Sequence, residues 1–480
     1  MADPNQKEYA SSFTIIQIAL YKVTDESKPY INLKSMVTSF QYHEDIFWPC
    51  FGATMLVVDN SENLISSMPI QGWEKVVVEV EDVLGERYSY DFRLWQISNR
   101  VNKERKQMYS LGLISEEGLR NEGIQINSLQ EGQTSTQVQK ILEEKLRVPT
   151  EKIFVEPSMT KLKTIPTRQS PFSFIKSLLS KTISQKTGAA NIAAETGSSS
   201  SSGTDKSTDT DIETAEKAKG TAGYLFFQTR KGFTFKSIDK LVSSGGEDDN
   251  FEGSPPVTKP FFYQAAKIGK PSMFRIQEIV YGQEIDMIKA MRKGAYTSLI
   301  CFFNINTHQY EERVYSLAEQ WKDMAHMGSV EDLPIGQSEL SKYPSRIMSS
   351  ILNHENWYGE SHVASDEPRH GGDSSNQFPD WQKMYLSQSL SRVGVLFNQQ
   401  LNISLTGHLD LCAGDKIEIR IPENKEEEKK EQTWDQENSG TYLIKNLNHQ
   451  FLMGASPSVY TVLELIRDSY GIKGQTSKVK

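Results

Sequence analysis

Three histidines form the densest set of candidate metal ligands in the chain. His354, His362 and His370 are spaced by eight residues in a polar segment that also carries carboxylates. Zinc sites use imidazole and carboxylate, but they favour tight ligand pairs such as HxxxH or CxxC. The loose spacing is more typical of a solvent-exposed loop, so we expect no metal and no other cofactor. A bound metal is the alternative, which elemental analysis of the purified protein would test.

Nucleophilic catalysis has no signature in this sequence. Cys50, Cys301 and Cys412 lie far apart in apolar stretches, and none belongs to a CxxC pair, which favours buried, inert thiols. The chain has neither a GxSxG elbow nor a GxxxxGK[ST] phosphate loop. A carboxylate pair for glycoside hydrolysis stays open, because the approach of two acids depends on the fold. The sequence therefore predicts a protein that is not an enzyme.

Length and charge limit the remaining classes of function. A chain of 480 residues is longer than one hydrophobic core usually supports, so two or three domains are expected. The net charge of −9 disfavours a nucleic-acid groove, which needs a basic face. No segment approaches the roughly 18 apolar residues of a membrane span, and residues 1–20 lack a signal-peptide pattern. We expect synthesis in the cytosol and no membrane insertion.

Short alternating apolar patterns predict β-strands in the first 115 residues, in the manner of a sandwich or barrel. The predicted strands are 13–21, 47–58, 75–80, 88–97 and 109–114. Alternation returns between 274 and 321, and the last predicted strands are 402–405, 416–421, 442–447 and 460–465. The chain is therefore predicted to contain two β regions.

The middle of the chain changes to helical periodicity. One helix is predicted at 134–148, and a second begins at Pro171, with Ser170 as its N-cap. The Ser-, Thr- and Gly-rich run 186–220 has no periodicity, which predicts a disordered loop. A hairpin follows, with its turn at Gly232. This order predicts a mixed α/β segment between the two β regions.

The ends of the two β regions share an order of features that indicates an internal duplication. Gly72 precedes a first set of three strands, and Gly414 precedes a second set. The final strand comes 39 residues after Gly72, at Leu111, and 49 residues after Gly414, at Leu463. The extra length falls at an acidic loop, where an insertion costs little. A trimer of such chains would present six nearly equivalent β units around its axis.

Three motifs occur in a fixed order along the chain: EDIFWP with GATMLVVDN and MPIQGWE, then FFQT with GFTF and SID, then SGTYLI. The residues that carry them, together with the second turn glycine, are Glu44, Pro49, Gly52, Asp59, Pro69, Gly72, Glu74, Gly232, Asp239, Gly414, Gly440 and Tyr442. In this order the motifs resemble the central baseplate hub proteins of T-even-like contractile-tailed phages. Those hubs are related to the first part of VgrG-type spikes.

The resemblance implies an α+β, mainly β chain with two similar antiparallel tube-type β-barrels, an intervening mixed α/β domain and a long irregular insertion. It implies a homotrimer whose pseudo-sixfold ring joins the tail tube protein to the central spike protein, lysozyme-bearing or simple. DNA would pass through the lumen without specific binding. Other baseplate proteins and the tape measure protein are further expected partners. The expected location is the virion tail, after assembly in the host cytoplasm.

The predicted domain plan follows from these motifs. It comprises a first β-barrel hub domain at 1–115, a middle domain at 116–270, a second hub domain from 271–322 and 390–470, an insertion at 323–389 and a flexible tail at 471–480. The aromatic cluster Phe47, Trp48 and Phe51 is expected to pack in the first core. A partner surface is the alternative, for which Trp48 is the best candidate, because Trp is enriched at binding hot spots. The alternative functions are a tail-associated cell-wall hydrolase and a glycan-binding tail adhesin, although neither has a motif here.

Overall fold

A computed structural model describes most of the chain. The described residues are 11–60, 64–67, 70–103, 106–184, 221–243, 260–263, 274–282, 286–305, 308–328, 333–351, 381–423, 434–454 and 457–471. The helices are α1 Leu64–Ser67, α2 Glu116–Gly123, α3 Thr134–Glu144, α4 Pro171–Leu179, α5 Ile238–Val242, α6 Met287–Lys293, α7 Leu317–Gln320, α8 Ile335–Leu340 and α9 Trp381–Val395. Short 3₁₀ turns are at Leu33–Ser35, Thr150–Lys152 and Trp321–Asp323.

The β-strands outnumber the helices, which confirms the prediction of a mainly β chain with some helices. The strands of the first half are β1 Thr14–Tyr21, β2 Ile31–Asn32, β3 Val37–Asp45, β4 Gly52–Asp59, β5 Lys75–Glu81, β6 Arg87–Lys103, β7 Lys106–Ile114, β8 Gln130–Gln133, β9 Ile153–Val155, β10 Lys161–Thr164, β11 Tyr224–Thr229 and β12 Gly232–Ser237. Those of the second half are β13 Phe261–Tyr263, β14 Arg275–Ile276, β15 Glu278–Tyr281, β16 Thr297–Asn304, β17 Gln309–Ser316, β18 Arg346–Ile351, β19 Gln399–Thr406, β20 Lys416–Arg420, β21 Gly440–Leu452 and β22 Ser458–Arg467.

One fourteen-stranded sheet runs through both β regions. The first β region is β1–β7, and the second is β13–β15 with β19–β22. The strand order is β14-β13-β20-β21-β3-β4-β7-β6-β5-β1-β2, with β22 joining β21 to β19 and β15 lying beyond β19. Because β3 of the first region pairs with β21 of the second, the two regions share one sheet and one apolar core. Two separate, closed barrels are therefore not confirmed by the described strands.

Alternating burial along the strands explains why these segments form this sheet. In β5, Val76, Val78 and Val80 are fully buried, and from β6 Tyr90 and Phe92 enter the same core. Burying such a side chain contributes roughly 1.5–3 kcal/mol, so the strand is fixed to one register. A shift by one residue would expose the entire valine row.

The two predicted three-strand sets fold as matching antiparallel meanders. In the first, Lys75 of β5 pairs with Arg93 of β6, which pairs with Ile114 of β7. In the second, Lys416 of β20, Leu443 of β21 and Ile466 of β22 pair in the same way. Each middle strand then has a register shift one residue further on, after Leu94 in β6 and after Ile444 in β21. The shared order predicted from sequence thus extends to the register of individual residues.

The pairing of Gly72 with Gly414 that the sequence predicts is wrong by one residue. Gly414 N donates to the carbonyl of Ile444 (2.8 Å), and the matching bond in the first region runs from Trp73 N to Leu94 (2.7 Å). Trp73 has φ 75° and Gly414 has φ 85°. The structural equivalent of Gly414 is therefore Trp73 and not Gly72. At this turn the surrounding backbone holds a tryptophan at positive φ, which a non-glycine residue rarely adopts.

Both middle strands continue beyond their predicted ends. β6 runs to Lys103 instead of residue 97, and β21 runs to Leu452 instead of residue 447. β3, which the strand predictions omitted, pairs with this far half of β21, from Asn446–Asp45 to Leu452–Ser39. Two of the segments that sequence patterns missed, β3 and the far half of β21, are thus those that connect the two β regions.

The middle segment packs two helices on a small three-stranded sheet. α4 begins at Pro171, with Ser170 at the N-cap as predicted, while α3 ends at Glu144, four residues before the predicted end at 148. The hairpin β11–β12 is confirmed, and β9 adds to it in parallel. Phe172, Phe226 and Phe233 are among the residues of this separate core.

A further three-stranded sheet, with the order β17-β16-β18, lies between the two parts of the second β region in the sequence. Its buried residues include Ile300 and Phe302 on the central strand. The predicted loop 186–220 lies outside the described residues. So do 352–380 of the predicted insertion and almost all of the predicted tail. Among the described helices, none combines the length and apolarity needed to cross a bilayer.

Candidate assembly site

One buried carboxylate joins three parts of the chain. Glu44, near the end of β3, is 1% exposed. Its Oε1 accepts hydrogen bonds from the Tyr42 hydroxyl (2.6 Å) and from the backbone N–H of Arg230 in the β11–β12 turn (2.6 Å). Its Oε2 accepts from the backbone N–H of Ala413, just before β20 (2.7 Å). Glu44 therefore links the first β region, the middle hairpin and the second β region; we call this contact the Glu44 junction.

Burial determines the electrostatics of the Glu44 junction. Removal from water raises the pKa of Glu44 to about 7, although the three hydrogen-bond donors favour the charged form. The nearby carboxylate of Asp415 raises the pKa further. The carboxyl therefore titrates close to neutral pH, and the strength of this junction depends on pH.

A second buried cluster lies at the end of β22, and we call it the Arg392 cluster. Arg392 of α9 is 1% exposed; its Nε donates to Asp239 of α5 (2.9 Å) and its Nη1 to Asp468, which follows β22 (2.9 Å). Its Nη2 donates to the carbonyl of Ala325. His326 contributes Nδ1, 3.1 Å from Asp468 Oδ2. The cluster joins α9, the middle segment and the second β region.

Opposite charges compensate the burial of these groups. Burial opposes ionisation of Asp468, but the hydrogen bond to His326 and the charge of Arg392 hold its pKa well below the usual range. The Trp321 carbonyl, 2.7 Å from His326 Nε2, can only accept a hydrogen bond. The buried guanidinium of Arg392 thus lies between the carboxylates of Asp239 and Asp468.

The structure places most of the motif residues at turns and strand ends. Asp59 Oδ2 accepts from the Leu64 N–H (2.6 Å), and the two Glu74 oxygens accept from Gln71 N (2.7 Å) and Gly72 N (2.9 Å). Both acids close the turns that follow or precede their strands. Tyr442 donates its hydroxyl to the carbonyl of Asn438 (2.8 Å).

Three of the motif glycines are required by close contacts. A Cβ at Gly232 would collide with the carbonyl of Lys152, and one at Gly414 would lie 2.7 Å from the Phe227 ring. Gly440 has φ 135° and passes beside Arg467. Gly52 begins β4, and Pro49 is buried in the preceding turn. Pro69 lies outside the described residues.

The motif residues therefore fall into separate places in the fold. Glu44 and the turn that ends at Gly414 come together at the Glu44 junction, and Asp239 belongs to the Arg392 cluster, while Asp59 and Gly52 reach neither. Sequence patterns missed Arg392 and His326, and they assigned no role to Asp468. Their positions in sequence carry no signal that distinguishes a buried charge from a surface one.

The candidate interface residue Trp48, the cysteines and the candidate metal ligands lie in different environments. Trp48 is 60% exposed, and the ammonium of Lys176 lies 5.2 Å from its ring centroid, so the expectation of core packing is wrong for this side chain. Cys50 and Cys412 are buried, and burial raises the pKa of Cys50 to about 11. His354, His362 and His370 lie outside the described residues. Within the described stretches, no three His, Cys, Asp or Glu side chains form a metal-binding group.

Solved structures similar to this chain include proteins of phage tails and of a secretion system. The tail protein from Neisseria meningitidis MC58 is 11% identical, with a TM-score of 0.48, over 95% of this chain and 97% of that one. The 43 kDa tail protein of prophage MuSo2 from Shewanella oneidensis is 10% identical, with a TM-score of 0.48, over 95% and 99%.

An Escherichia coli protein is also similar, at 9% identity and a TM-score of 0.39, over 97% of this chain and 79% of that one. It is described as a component of the type VI secretion system with structural similarity to T4 bacteriophage tail proteins gp27 and gp5. No family model and no curated protein matches the chain. At these identities and TM-scores, function has to follow from the chain's own geometry.

Proposed function

We propose that this protein is a non-enzymatic structural subunit of a contractile phage tail, the central hub of its baseplate. The observation that carries the proposal is the repeated meander, in which β5–β7 and β20–β22 share register, bulge and turn hydrogen bonds. A chain that contains the same β unit twice can form a threefold ring with six similar units. Such a ring is suited to contact a sixfold partner on one face and a threefold partner on the other.

The partners follow from this symmetry and from the sequence resemblance. The sixfold partner would be the tail tube protein, and the threefold partner would be the central spike protein, lysozyme-bearing or simple. Other baseplate proteins and the tape measure protein are further candidates. The net charge of −9 would repel DNA that passes through the lumen of the ring, so that it does not adhere. The protein would belong to the virion, after assembly in the host cytoplasm.

The finer parts of the proposal concern domains and surfaces. The two β regions would act as tube-type barrel domains when neighbouring copies complete them, with residues 116–270 as the middle domain and 323–389 as an insertion. The exposed ring of Trp48 is the proposed contact with another tail protein. The motif residues at turns, such as Gly232 and Gly414, would hold the shape of the ring.

Solution mass and single-particle imaging of the purified protein test this proposal. We expect a trimer of 54.4 kDa chains that forms a ring with a central hole wide enough for DNA. The same measurement should be made after co-expression with the other tail proteins. A chain that stays monomeric in both preparations would contradict the hub function. Clearing of peptidoglycan in a zymogram would favour a tail-associated hydrolase instead.

A further inference from the structure

The two meanders differ at the far half of the middle strand. In the second β region, β3 covers the far half of β21, from Asn446 to Leu452. In the first β region, β5 pairs with β6 only as far as Arg93. Beyond Leu94, the described pairs of β6 are with β7 alone. The segment 96–103, which we call the β6 edge, thus presents one side that meets no strand in the described part of the chain.

A strand equivalent to β3 is present at the other end of the sheet. β3 pairs with β4, where Phe40 lies opposite Met55, and β15 pairs with β19, where Ile279 lies opposite Ile403. Because β4 and β19 occupy the same place beside β7 and β22, β15 is the counterpart of β3. Tyr42 and Tyr281 are then equivalent. Among the described strands, β15 pairs with β19 only.

From these equivalent strands we can infer which strand covers the β6 edge. Inside the chain, β3 adds to the far half of the middle strand of the next unit. We propose that β15 of a second copy of this chain adds in the same way to the β6 edge and forms an intermolecular antiparallel sheet. The proposal rests on the hub function, since it supplies the contact between copies in the ring. The contact joins two different surfaces, so it is heterologous and continues from copy to copy until the ring closes.

The shared register predicts which residues meet. Gln450 pairs with Gln41, and Gln450 and Val101 are equivalent because they lie opposite the matching residues Tyr460 and Met108. Val101 should therefore lie opposite Val280 of the second copy. The equivalence is assigned from the partners in β7, and these partners already take account of the bulge at Asn99. The bulge therefore does not change which residue of β6 corresponds to Gln450.

The predicted neighbours are complementary in polarity. Val101 is 57% exposed and Val280 is 50% exposed, although both are β-branched residues within strands. The next pair on the same face is Lys103 with Glu278 of the second copy. It corresponds to the pair of Leu452 with Ser39 inside the chain. Directly opposed apolar residues and opposite charges stabilise antiparallel strands. The same pairing would cover the sides of β6 and β15 that meet no other described strand; uncovered strand edges favour aggregation.

Cysteine cross-linking of the assembled protein tests the register. In a Cys301→Ser background, the double variant Val101→Cys with Val280→Cys should link neighbouring copies through a short bis-maleimide. Each copy would contribute both cysteines, so the products should end at a covalent trimer. The control pairs Val280→Cys with Leu84→Cys, an apolar residue that is 69% exposed in the turn between β5 and β6, and should give no linked trimer.

A charge exchange provides an independent readout. Lys103→Glu alone, and Glu278→Lys alone, should each weaken the contact, so that the protein concentration needed to keep the trimer assembled rises several-fold. The two exchanges together should restore the trimer. A trimer that shows neither cross-links nor charge rescue would overturn the strand pairing and leave the hub function standing. A chain that never assembles would overturn both.

Discussion

The two β regions repeat one meander but differ in what covers it. In the second region, β3 completes the sheet beside β21, so the contact belongs to the fold of a single chain. In the first region, the equivalent β6 edge meets no further strand among the described residues and, in our proposal, is completed by another copy. In our proposal, the same kind of sheet edge serves the folding of one chain in the second region and the assembly of several chains in the first.

The regions differ again two residues beyond the last matched strand pair. Glu116 follows β7 and forms ion pairs with Arg93 (2.8 Å) and Arg120, with its side chain 30% exposed. Asp468 occupies the equivalent position after β22 and is fully buried in the Arg392 cluster. Exposed pairs contribute little to stability, whereas breaking a buried pair leaves an uncompensated charge. The same position therefore has a different energetic weight in each region.

The largest expected effect comes from removing the buried cation. Arg392→Met should lower the free energy of unfolding by roughly 3–5 kcal/mol, because Asp239 and Asp468 stay buried without their partner. Arg93→Met removes the partner of Glu116, the residue equivalent to Asp468. It should lower the free energy of unfolding by about 1 kcal/mol, since Glu26 and Glu116 can turn to water. Denaturant unfolding of both variants measures the difference. Equal losses would show that the buried cluster has no special weight.

The Glu44 junction should give an effect of intermediate size that depends on pH. The pKa of Glu44 is raised to about 7, so its contribution to stability is fully present below its unfolded value of 4.5 and is lost as pH rises through 7. The loss should approach roughly 3 kcal/mol at alkaline pH. The pKa of Asp468 is lowered, so its contribution has the opposite dependence and is lost in strong acid.

The Glu44→Gln variant isolates this contribution. At pH 5 it should be less stable than the natural protein, because the amide nitrogen replaces an oxygen that accepts from a backbone N–H. The gap should close as pH rises from 5 to 9, when the natural carboxyl becomes charged. Denaturant unfolding across this pH range provides the measurement, and a gap that is constant with pH would contradict the shifted pKa.

The smallest effect concerns the equivalent turns. Gly414→Ala should cost about 2 kcal/mol, because its φ is positive and the new Cβ would lie 2.7 Å from the Phe227 ring. Trp73→Gly should change stability by less than about 1 kcal/mol, since relief of the positive φ offsets the lost contact with Arg93. Thermal unfolding compares the two. A larger loss at Trp73 would indicate that its ring has a structural role.

Some features of this fold follow from local sequence alone. The alternating valines of β5, the Ser170–Pro171 start of α4 and the β11–β12 hairpin are encoded within a few residues, so their patterns predict them correctly. The order of the two meanders is equally readable, because each strand shows its own two-residue period. The sequence by itself thus determined the strands of the two meanders and their repetition.

The tertiary structure decided how those elements meet. β3 and the far half of β6 escaped prediction because their exposed or hydrogen-bonded polar residues, such as Glu44 and Arg100, weaken the alternation of apolar residues. Whether Arg392 is buried or Trp48 is exposed depends on chain segments far away in sequence. Strand partners and buried charges are set by long-range packing, whereas periodicity reports only which face of a strand is apolar.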